Sequence, residues 1–141
     1  MASATAGYSG TPISKKLGMK PSLHVFLIGA PRGFRALLKP LPDGVTFSTD
    51  SEPPHTFVHL FARSLDDLDR LRTLREELEP EGTIWVSWPK QSSGVKSDVT
   101  ENAIRDAALP LGLVDVKVCA VDATWSALKL VIRKSERVRT K

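Results

Sequence analysis

The sequence has little of what builds a disulfide framework or a zinc site. Its 141 residues include one cysteine, Cys119, and three histidines, His24, His55 and His59. A single cysteine excludes an internal disulfide, and so few thiol and imidazole groups argue against a Cys/His zinc centre. No apolar run approaches the roughly 20 residues that a membrane-spanning helix needs. The composition, with 41% hydrophobic and 26% charged residues, is that of a soluble globular domain.

The first 22 residues also lack the apolar stretch of a secretory signal peptide, being small, polar and basic. We therefore predict a cytoplasmic protein. The length suits one domain that can bury a real core. We predict an N-terminal segment with a short helix (residues 1–22), a single α/β domain (residues 23–134) and a disordered basic tail (residues 135–141).

Acidic residues are missing from the first part of the chain, where none precedes Asp43. Residues 43–81 are acidic on balance, and residues 133–141 are basic. Such asymmetry can mark an anion-binding face, although a solvated face with a basic tail has the same pattern. Aromatic residues do not interleave with the basic ones, which disfavours a single-strand nucleic-acid binder. The cations before Asp43 are Lys15, Lys16, Lys20, Arg32, Arg35 and Lys39.

The order of apolar runs, capping residues and Pro/Gly breaks predicts an alternating α/β domain. The fold class is an α/β three-layer sandwich whose sheet of about six strands is mostly parallel and ends in an antiparallel hairpin. We predict strands at residues 23–28, 45–47, 56–62 and 83–88, helices at 12–17, 33–39, 64–78 and 98–109, and a hairpin from 114–121 and 126–133.

Two of the predicted helices carry recognisable start signals. Ser64 with Asp67, and Asp98 with Glu101, have the spacing of capping boxes. The first of these helices also has leucines every three or four positions, which gives one apolar stripe for the core. Those leucines are Leu65, Leu68, Leu71, Leu74 and Leu78.

A standard nucleotide fingerprint is absent from the loop after the first predicted strand, residues 29–33, where α/β domains bind ligands. Cofactor loops use glycines because the backbone must approach the ligand without an intervening Cβ. Here Pro31 removes an N–H donor and Arg32 adds a bulky cation. Asp50 follows Gly29 by about 20 residues, as a ribose-binding acid would, but it lies in a loop rich in acidic residues and proline.

Cations also follow several predicted strands. If the strands are parallel, Arg32, Arg63 and Lys90 reach one rim of the sheet, where hydroxyls and backbone amides of residues 92–94 would suit a phosphate or carboxylate. The alternative is that each cation ends a strand and is solvated. No acidic cluster nearby indicates a divalent metal. The candidate ligand-binding residues are Gly29, Arg32, Gly33, Arg63, Lys90, Ser92, Ser93 and Gly94.

The tryptophans suggest a second candidate surface. Trp85 and Trp88 are three apart on one predicted strand, so they point to opposite faces. Trp125 lies beside Asp122 in the hairpin turn, where it either packs back on the core or lines a pocket. Trp88, Asp122 and Trp125 are therefore candidates for a pocket or partner surface. We expect Cys119 to be a buried small hydrophobe and the three histidines to be structural.

Two passages resemble class I methyltransferases, which have a Rossmann-like fold. Residues 23–34 stand where the first motif of those enzymes would lie, and residues 78–86 are similar to their "L-x-P-G-G then strand" passage. The closing hairpin is similar to their antiparallel last strand. The resemblance implies a shortened, degenerate domain of that fold, with S-adenosylmethionine as the cofactor if the activity is retained.

A further set of segments resembles the bacterial DUF3052 family and spans nearly the whole chain. That family has no assigned function, so the resemblance transfers no catalytic residues. The segments are residues 7–12, 15–18, 29–34, 85–90, 93–95 and 116–126.

These observations together predict a non-catalytic binding or accessory domain. Its basic rim would hold an anionic small molecule or a partner segment, without cofactor or metal and without membrane or nucleic-acid partners. One alternative is an S-adenosylmethionine-dependent methyltransferase with a divergent first motif. Another is a protein-interaction subunit that uses the N-terminal segment and Trp125.

Overall fold

The structure, a computed structural model, describes residues 11–50 and 52–137. Residues 1–10 of the predicted N-terminal segment and residues 138–141 of the predicted tail lie outside the described part. Within it, Lys134–Glu136 forms a 3-10 turn. The strands are β1 (His24–Ile28), β2 (Thr46–Ser48), β3 (His55–Phe61), β4 (Leu78–Pro89), β5 (Leu113–Ala120) and β6 (Trp125–Ile132). The α-helices of these residues are α1 (Ile13–Lys16), α2 (Phe34–Leu37), α3 (Arg70–Glu77) and α4 (Glu101–Ala108).

The strands form one six-stranded mixed sheet in the order β2-β1-β3-β4-β6-β5. β1 pairs in parallel with β2 and β3, and β3 pairs in parallel with β4. β6 runs antiparallel to both β4 and β5. The six-stranded α/β sheet and its closing hairpin are thus confirmed. β2 lies on one side of β1, and the chain then crosses to the other side to form β3. This change of direction opens a crevice at the carboxyl ends of β1 and β3.

Apolar side chains cover both faces of the sheet, as alternation along buried strands requires. No helix among the described residues is long and apolar enough to cross a membrane. We call one face the α3/α4 face. On it the strand residues Val58, Leu60, Ile84 and Val86 pack with the helix residues Leu71, Leu74, Ile104 and Ala108. We call the opposite face the N-terminal face. On it the strand residues Leu27, Phe57, Phe61 and Trp85 pack with Ile13, Leu17, Phe34 and Leu38, which lie in or next to α1 and α2.

The predicted helix 64–78 is correct in its middle and wrong at both ends. A 3-10 turn, Leu65–Asp69, precedes α3. The predicted capping box of Ser64 and Asp67 is present at its start, where the Asp67 carboxylate accepts the backbone N–H groups of Arg63 and Ser64 at 2.8 and 3.2 Å. Leu65 is 45% exposed, whereas the other leucines of the stripe are buried. Leu78 belongs to β4, where its backbone pairs with His55 of β3.

The cap predicted for the helix 98–109 is also wrong. The Thr100 hydroxyl caps α4 by accepting the N–H of Ala103 at 3.0 Å. The Asp98 carboxylate instead accepts the N–H of Leu65 at 2.9 Å, and the Ser97 hydroxyl donates to the carbonyl of Arg63 at 2.9 Å. Residues 97 and 98 therefore tie the long loop after β4 to the segment that follows β3.

The two tryptophans of β4 point to opposite faces, as predicted. Trp88 packs into the α3/α4 face, whereas Trp85 is fully buried in the N-terminal face. The indole Nε1 of Trp85 donates a hydrogen bond to the carbonyl oxygen of Leu17 at 2.9 Å. This bond and the burial of Ile13 and Leu17 fix the α1 segment onto the sheet.

One histidine is completely enclosed in the N-terminal face. The Nε2 of His59 lies 2.7 Å from the Ser87 hydroxyl, and its Nδ1 has no hydrogen-bond partner among the residues that the structure describes. The imidazole stacks on Phe61 at 4.4 Å and meets the edge of Phe34 at 5.0 Å between ring centroids. Burial lowers the pKa of His59 from 6.5 to about 3, so the folded protein holds a neutral imidazole.

Replacing Trp85 should loosen the N-terminal segment. In Trp85→Phe the carbonyl of Leu17 loses its buried donor, which should lower the free energy of unfolding by about 1–3 kcal/mol. Trypsin cleavage after Lys15 or Lys16 should accelerate. Trp88→Phe, which removes the same ring on the opposite face, is the control. Equal cleavage rates in the two variants would contradict this anchoring role.

Acidification should destabilise the fold through His59. The pKa of His59 is lower in the folded state than in the unfolded state. The contribution of the neutral imidazole to the free energy of unfolding is therefore complete above pH 6.5 and is lost as the pH falls toward about 3. The loss is about 1.4 kcal/mol per pH unit, or about 2 kcal/mol between pH 6.5 and 5. Urea unfolding at several pH values should show this loss in the wild type. The double variant His59→Phe/Ser87→Ala should lack it, and parallel pH profiles would refute the assignment.

Candidate functional site

Four segments meet where the parallel strands end, and we call this region the carboxyl rim: residues 29–33, 62–64, 90–94 and 121–125. The register pairs Ile28 with Leu60 and Phe61 with Ser87, so β1, β3 and β4 end at one side of the sheet. The antiparallel pairing of Pro89 with Trp125 adds the beginning of β6 to the same rim. The rim therefore combines loops that follow three parallel strands with the hairpin turn.

Arg63 lies across the crevice between β1 and β3. Its guanidinium carbon is 5.0 Å from the centroid of the Trp125 ring. Its Nη1 lies 3.2 Å from the position that a Cβ on Gly29 would occupy. Gly29 has a positive φ of 73°, and the same Cβ would lie 3.3 Å from the carbonyl oxygen of Phe61. A Cβ at residue 29 would therefore require the Arg63 guanidinium to shift by a few tenths of an ångström.

The Arg63 side chain forms no hydrogen bond or ion pair with the residues that the structure describes. It is exposed, and stacking against Trp125 orders it without using its N–H donors. Arginines that do pair with carboxylates, such as Arg75, Arg105 and Arg133, lie elsewhere in the described part of the chain. Arg63 is thus an oriented cation whose donors are available to a ligand.

Trp125 serves the core and the rim together. Its side chain is buried, and its ring meets the edge of Phe61 at 5.1 Å. The Asp122 carboxylate accepts the backbone N–H groups of Thr124 and Trp125, both at 2.8 Å, which fixes the turn. Most of the Trp125 ring packs on the core, which is one of the two predicted alternatives. The rest of its surface contacts the Arg63 guanidinium.

Lys90 and Ser93 hold the rim's own backbone. The Lys90 ammonium donates to the carbonyl of Asp122 at 2.9 Å, and its backbone N–H donates to the carbonyl of Thr124 at 2.8 Å. The Ser93 hydroxyl donates to the Lys90 carbonyl at 2.6 Å and accepts the N–H of Val95 at 3.1 Å. Gly94, with a φ of 83°, ends the 3-10 turn Gln91–Ser93. These contacts brace the hairpin turn against the end of β4.

Two grooves lie at the carboxyl rim, and Arg63 lines one of them. The Gly29 groove has a volume of about 460 Å³, and the Arg63 groove has a volume of about 570 Å³. Ser92 belongs to neither, since it lines a third groove with Trp88 and Thr100. The Gly29 groove is lined by Leu27, Gly29, Ala30, Pro31, Gly33, Phe34, Arg35, Ala36 and Thr49. The Arg63 groove is lined by Arg63, Pro89, Gln91, Val95, Lys96, Ser97, Asp98 and Val99.

A larger groove of about 790 Å³ lies at the opposite end of the sheet, around the beginning of β4. Its charged residues are mostly acidic, and its Arg75 is bonded to the carbonyl of Leu111 and to Glu136. We place the candidate site at the carboxyl rim because the rim combines the switch in strand order with an unpaired cation.

The loop after β1 differs from a nucleotide-binding loop in its backbone as well as its sequence. Gly33 has a φ of 87° and precedes α2, which has only four residues. So short a helix has little aligned dipole with which to attract a phosphate. Arg32 is exposed on this loop but does not line the Gly29 groove, and Asp50 does not line it either.

Sequence reasoning missed Arg35 as a member of the site. Arg35 is the cation of the Gly29 groove, and its guanidinium carbon is 5.0 Å from the centroid of the Phe47 ring. Arg35 belongs to α2 and Phe47 to β2, and only the parallel pairing of β1 with β2 brings them together. The sequence marked Arg35 as one cation of a basic segment and gave no signal for its partner.

Potential metal ligands are scattered. In the described part of the chain, no group of three or more His, Cys, Asp or Glu side chains could hold a metal ion. His24 lies between the hydroxyls of Thr46 and Ser48, at 2.8 and 2.9 Å. His55 is bonded to Glu77 at 3.0 Å. Each of these histidines is therefore tied to its own part of the fold.

Cys119 lies in β5 with its side chain partly buried against the N-terminal face. Burial raises the pKa of the Cys119 thiol, and the nearby cations Lys117 and Lys16 only partly oppose this. A thiol that stays protonated is a poor nucleophile. This agrees with its predicted role as a small hydrophobe.

Solved structures with a similar fold include methyltransferases. An S-adenosylmethionine-dependent methyltransferase from Aquifex aeolicus is 13% identical, with 85% of this chain and 88% of that chain covered and a TM-score of 0.61. The ribosomal protein L11 methylase from Lactobacillus delbrueckii subsp. bulgaricus is 12% identical, with 86% and 75% covered and a TM-score of 0.54. An O-methyltransferase of neocarzinostatin biosynthesis, solved with S-adenosylmethionine, is 13% identical, with 77% and 48% covered and a TM-score of 0.55. At these identities the likeness shows a methyltransferase-like α/β fold.

No curated protein matches the sequence. The family profile of DUF3052, described as a protein of unknown function, matches residues 46–134. This match covers more than half of the chain and includes Arg63, the loop after β4 and the closing hairpin. The chain therefore belongs to the DUF3052 family.

Proposed function

We propose that this domain binds an anionic small molecule at the carboxyl rim and that Arg63 holds its anionic group, without catalysing a reaction. The observation that carries the proposal is the Arg63 guanidinium, which is stacked on Trp125 and placed against Gly29 with no carboxylate partner in the described chain. A planar guanidinium held in one orientation offers paired donors that match a carboxylate or a phosphate.

The surroundings of Arg63 support an anion rather than a neutral ligand. Lys96 adds a second cation to the Arg63 groove, and the amide of Gln91 adds a donor. The one carboxylate in that groove, Asp98, already accepts the N–H of Leu65. The Ser97 hydroxyl donates a hydrogen bond to the Arg63 carbonyl and the Asp98 carboxylate accepts the N–H of Leu65, so two walls of the groove are bonded to each other.

The runner-up is an S-adenosylmethionine-dependent enzyme, and the fold of the structural relatives favours it. The residues of the rim, however, do not fit that cofactor. Its sulfonium is a cation, whereas Arg63 already lies against Gly29, where the backbone would have to approach a ligand. Arg35 is the charged residue that lines the Gly29 groove, and no carboxylate lines it. We therefore assign no methyl-transfer step to this chain.

A catalytic role also finds little support among the rim's titratable groups. The nearest imidazole, His59, is buried beneath Phe34 and Phe61, and the lowered pKa keeps it neutral.

The alternative of a protein-interaction subunit is weaker too. Trp125, which would have to face a partner, is buried within the domain, and so are Ile13 and Leu17 in the described part of the N-terminal segment. We propose that the domain is a three-layer sandwich, which serves as the scaffold of the rim.

Substitution of Arg63 tests the proposal. Calorimetry with inorganic phosphate at low ionic strength should show binding by the wild type, and binding should raise its melting temperature. Arg63→Gln should weaken the phosphate affinity about 10- to 100-fold, because hydrogen bonds to a charged group are lost. Arg72→Gln, which removes an exposed arginine of α3, should bind phosphate as the wild type does.

Two results would overturn the proposal. The first is equal phosphate affinity in Arg63→Gln and Arg72→Gln, or no phosphate binding by the wild type. The second is stabilisation of the wild type by S-adenosylhomocysteine that is lost in Gly29→Val, since this would favour the methyltransferase alternative.

A further inference from the structure

We infer that the domain has a second binding site, which takes a neutral ligand rich in hydroxyl groups, such as a sugar. The site is the groove that Trp88 and Ser92 line, here called the Trp88 groove, with a volume of about 600 Å³. It lies between the end of β4, the beginning of β6 and the beginning of α4. Arg63 does not line it, so this site is separate from the one that the proposed function uses.

The observation that points to a ligand is the indole N–H of Trp88. The Trp88 side chain is only 8% exposed, and its Nε1 has no hydrogen-bond partner in the described part of the chain. Among the described side chains, the Nδ1 of His59 is the one fully enclosed nitrogen or oxygen without a partner, so the Trp88 N–H lies at the exposed edge of its ring. Buried indole N–H groups usually have a partner. The groove therefore offers a fixed donor that no protein group uses.

Other unbonded polar groups surround this donor. Ser126 is the partner of Trp88 in the β4–β6 pairing, so the two side chains lie on the same face of the sheet. The hydroxyl of Ser92 and the side-chain amide of Gln91 border the groove from the loop after β4. The side chains of Gln91, Ser92 and Ser126 form no hydrogen bond with the residues that the structure describes. Hydroxyl and amide groups both donate and accept, as the hydroxyls of a sugar do.

The charged residues of the groove are already bonded within the protein. The Arg105 guanidinium is bonded to the carboxylates of Glu101 and Asp115, the latter at 3.0 Å. The Lys90 ammonium donates to the carbonyl of Asp122 at 2.9 Å. A charged ligand would compete with these bonds, whereas a neutral ligand leaves them intact. The groove therefore favours a ligand without charge.

The accessible part of Trp88 favours a sugar over a flat heterocycle. A nucleobase gains much of its binding energy by stacking on an open aromatic face. The faces of the Trp88 ring are buried in the α3/α4 face of the sheet, which leaves its edge to the groove. A sugar instead binds through hydroxyls around its ring, and an indole N–H can donate to one of them. The groove volume of about 600 Å³ suits such a small molecule.

The test is a nuclear magnetic resonance titration of the full chain with glucose. Glucose should give a saturable shift of the Trp88 indole N–H resonance, which is assigned by its loss in Trp88→Phe. The Trp85 indole should not shift, because its N–H is buried and bonded to the carbonyl of Leu17. Glucuronate, which has the same ring with a carboxylate, should bind no more tightly than glucose. Sorbitol, an open-chain polyol, distinguishes a linear ligand from a cyclic one.

Single substitutions locate the bound sugar. Ser126→Ala removes a hydroxyl of the groove and should weaken the affinity for glucose about 3- to 10-fold, which corresponds to the loss of one neutral hydrogen bond. Ser135→Ala removes an exposed hydroxyl from the 3-10 turn Lys134–Glu136 and is the matched control. Arg63→Gln should leave glucose binding unchanged, and Ser126→Ala should leave phosphate binding unchanged.

Three results would overturn the inference. The first is no shift of the Trp88 indole with glucose or sorbitol. The second is tighter binding of glucuronate than of glucose, which would make the groove an anion site. The third is equal glucose affinity in Ser126→Ala and Ser135→Ala, which would place the sugar elsewhere. Each of these leaves the proposed function standing, because that function depends on phosphate binding by Arg63.

Discussion

The parallel pairing of β1, β3 and β4 is the constraint on which the rest of the structure depends. Parallel strands need crossover segments, and these cover both faces of the sheet here, which is why strand residues such as Val58 and Trp85 are fully buried. The same pairing directs the three strand ends to one rim. The change of strand order at β1 then opens a crevice there, so the scaffold that buries the core also produces the candidate site.

The main feature of the rim is the position of the Arg63 guanidinium. Arg63 lies between Gly29 and Trp125, and each of these residues accommodates it for a different reason. Gly29 lacks a Cβ, and Trp125 presents a ring that is held in place by Phe61 and by the turn around Asp122. Under the proposed function, this methyltransferase-like α/β fold holds an anion at its carboxyl rim.

Much of the fold could be predicted from the sequence, because short apolar runs and their breaks depend on local patterns. The hairpin and the opposite faces of Trp85 and Trp88 follow from strand periodicity alone. The errors arose where a residue forms its hydrogen bond or strand pairing with a partner that is distant in the sequence. Asp98 bonds to Leu65 across the rim instead of capping α4, and Leu78 joins β4 instead of the helix. The stacking of Arg35 on Phe47 is likewise a tertiary contact that no local pattern encodes.

The central claim is that an anion binds through the stacked guanidinium of Arg63. Nuclear magnetic resonance of the arginine Nε–H and tryptophan indole groups, recorded during a titration with inorganic phosphate, tests it most directly. The account predicts saturable shifts of the Arg63 Nε–H and the Trp125 indole resonances, with Arg75 at the opposite end of the sheet unaffected. Shifts centred on Arg75, or none at Arg63 while phosphate binds, would contradict it.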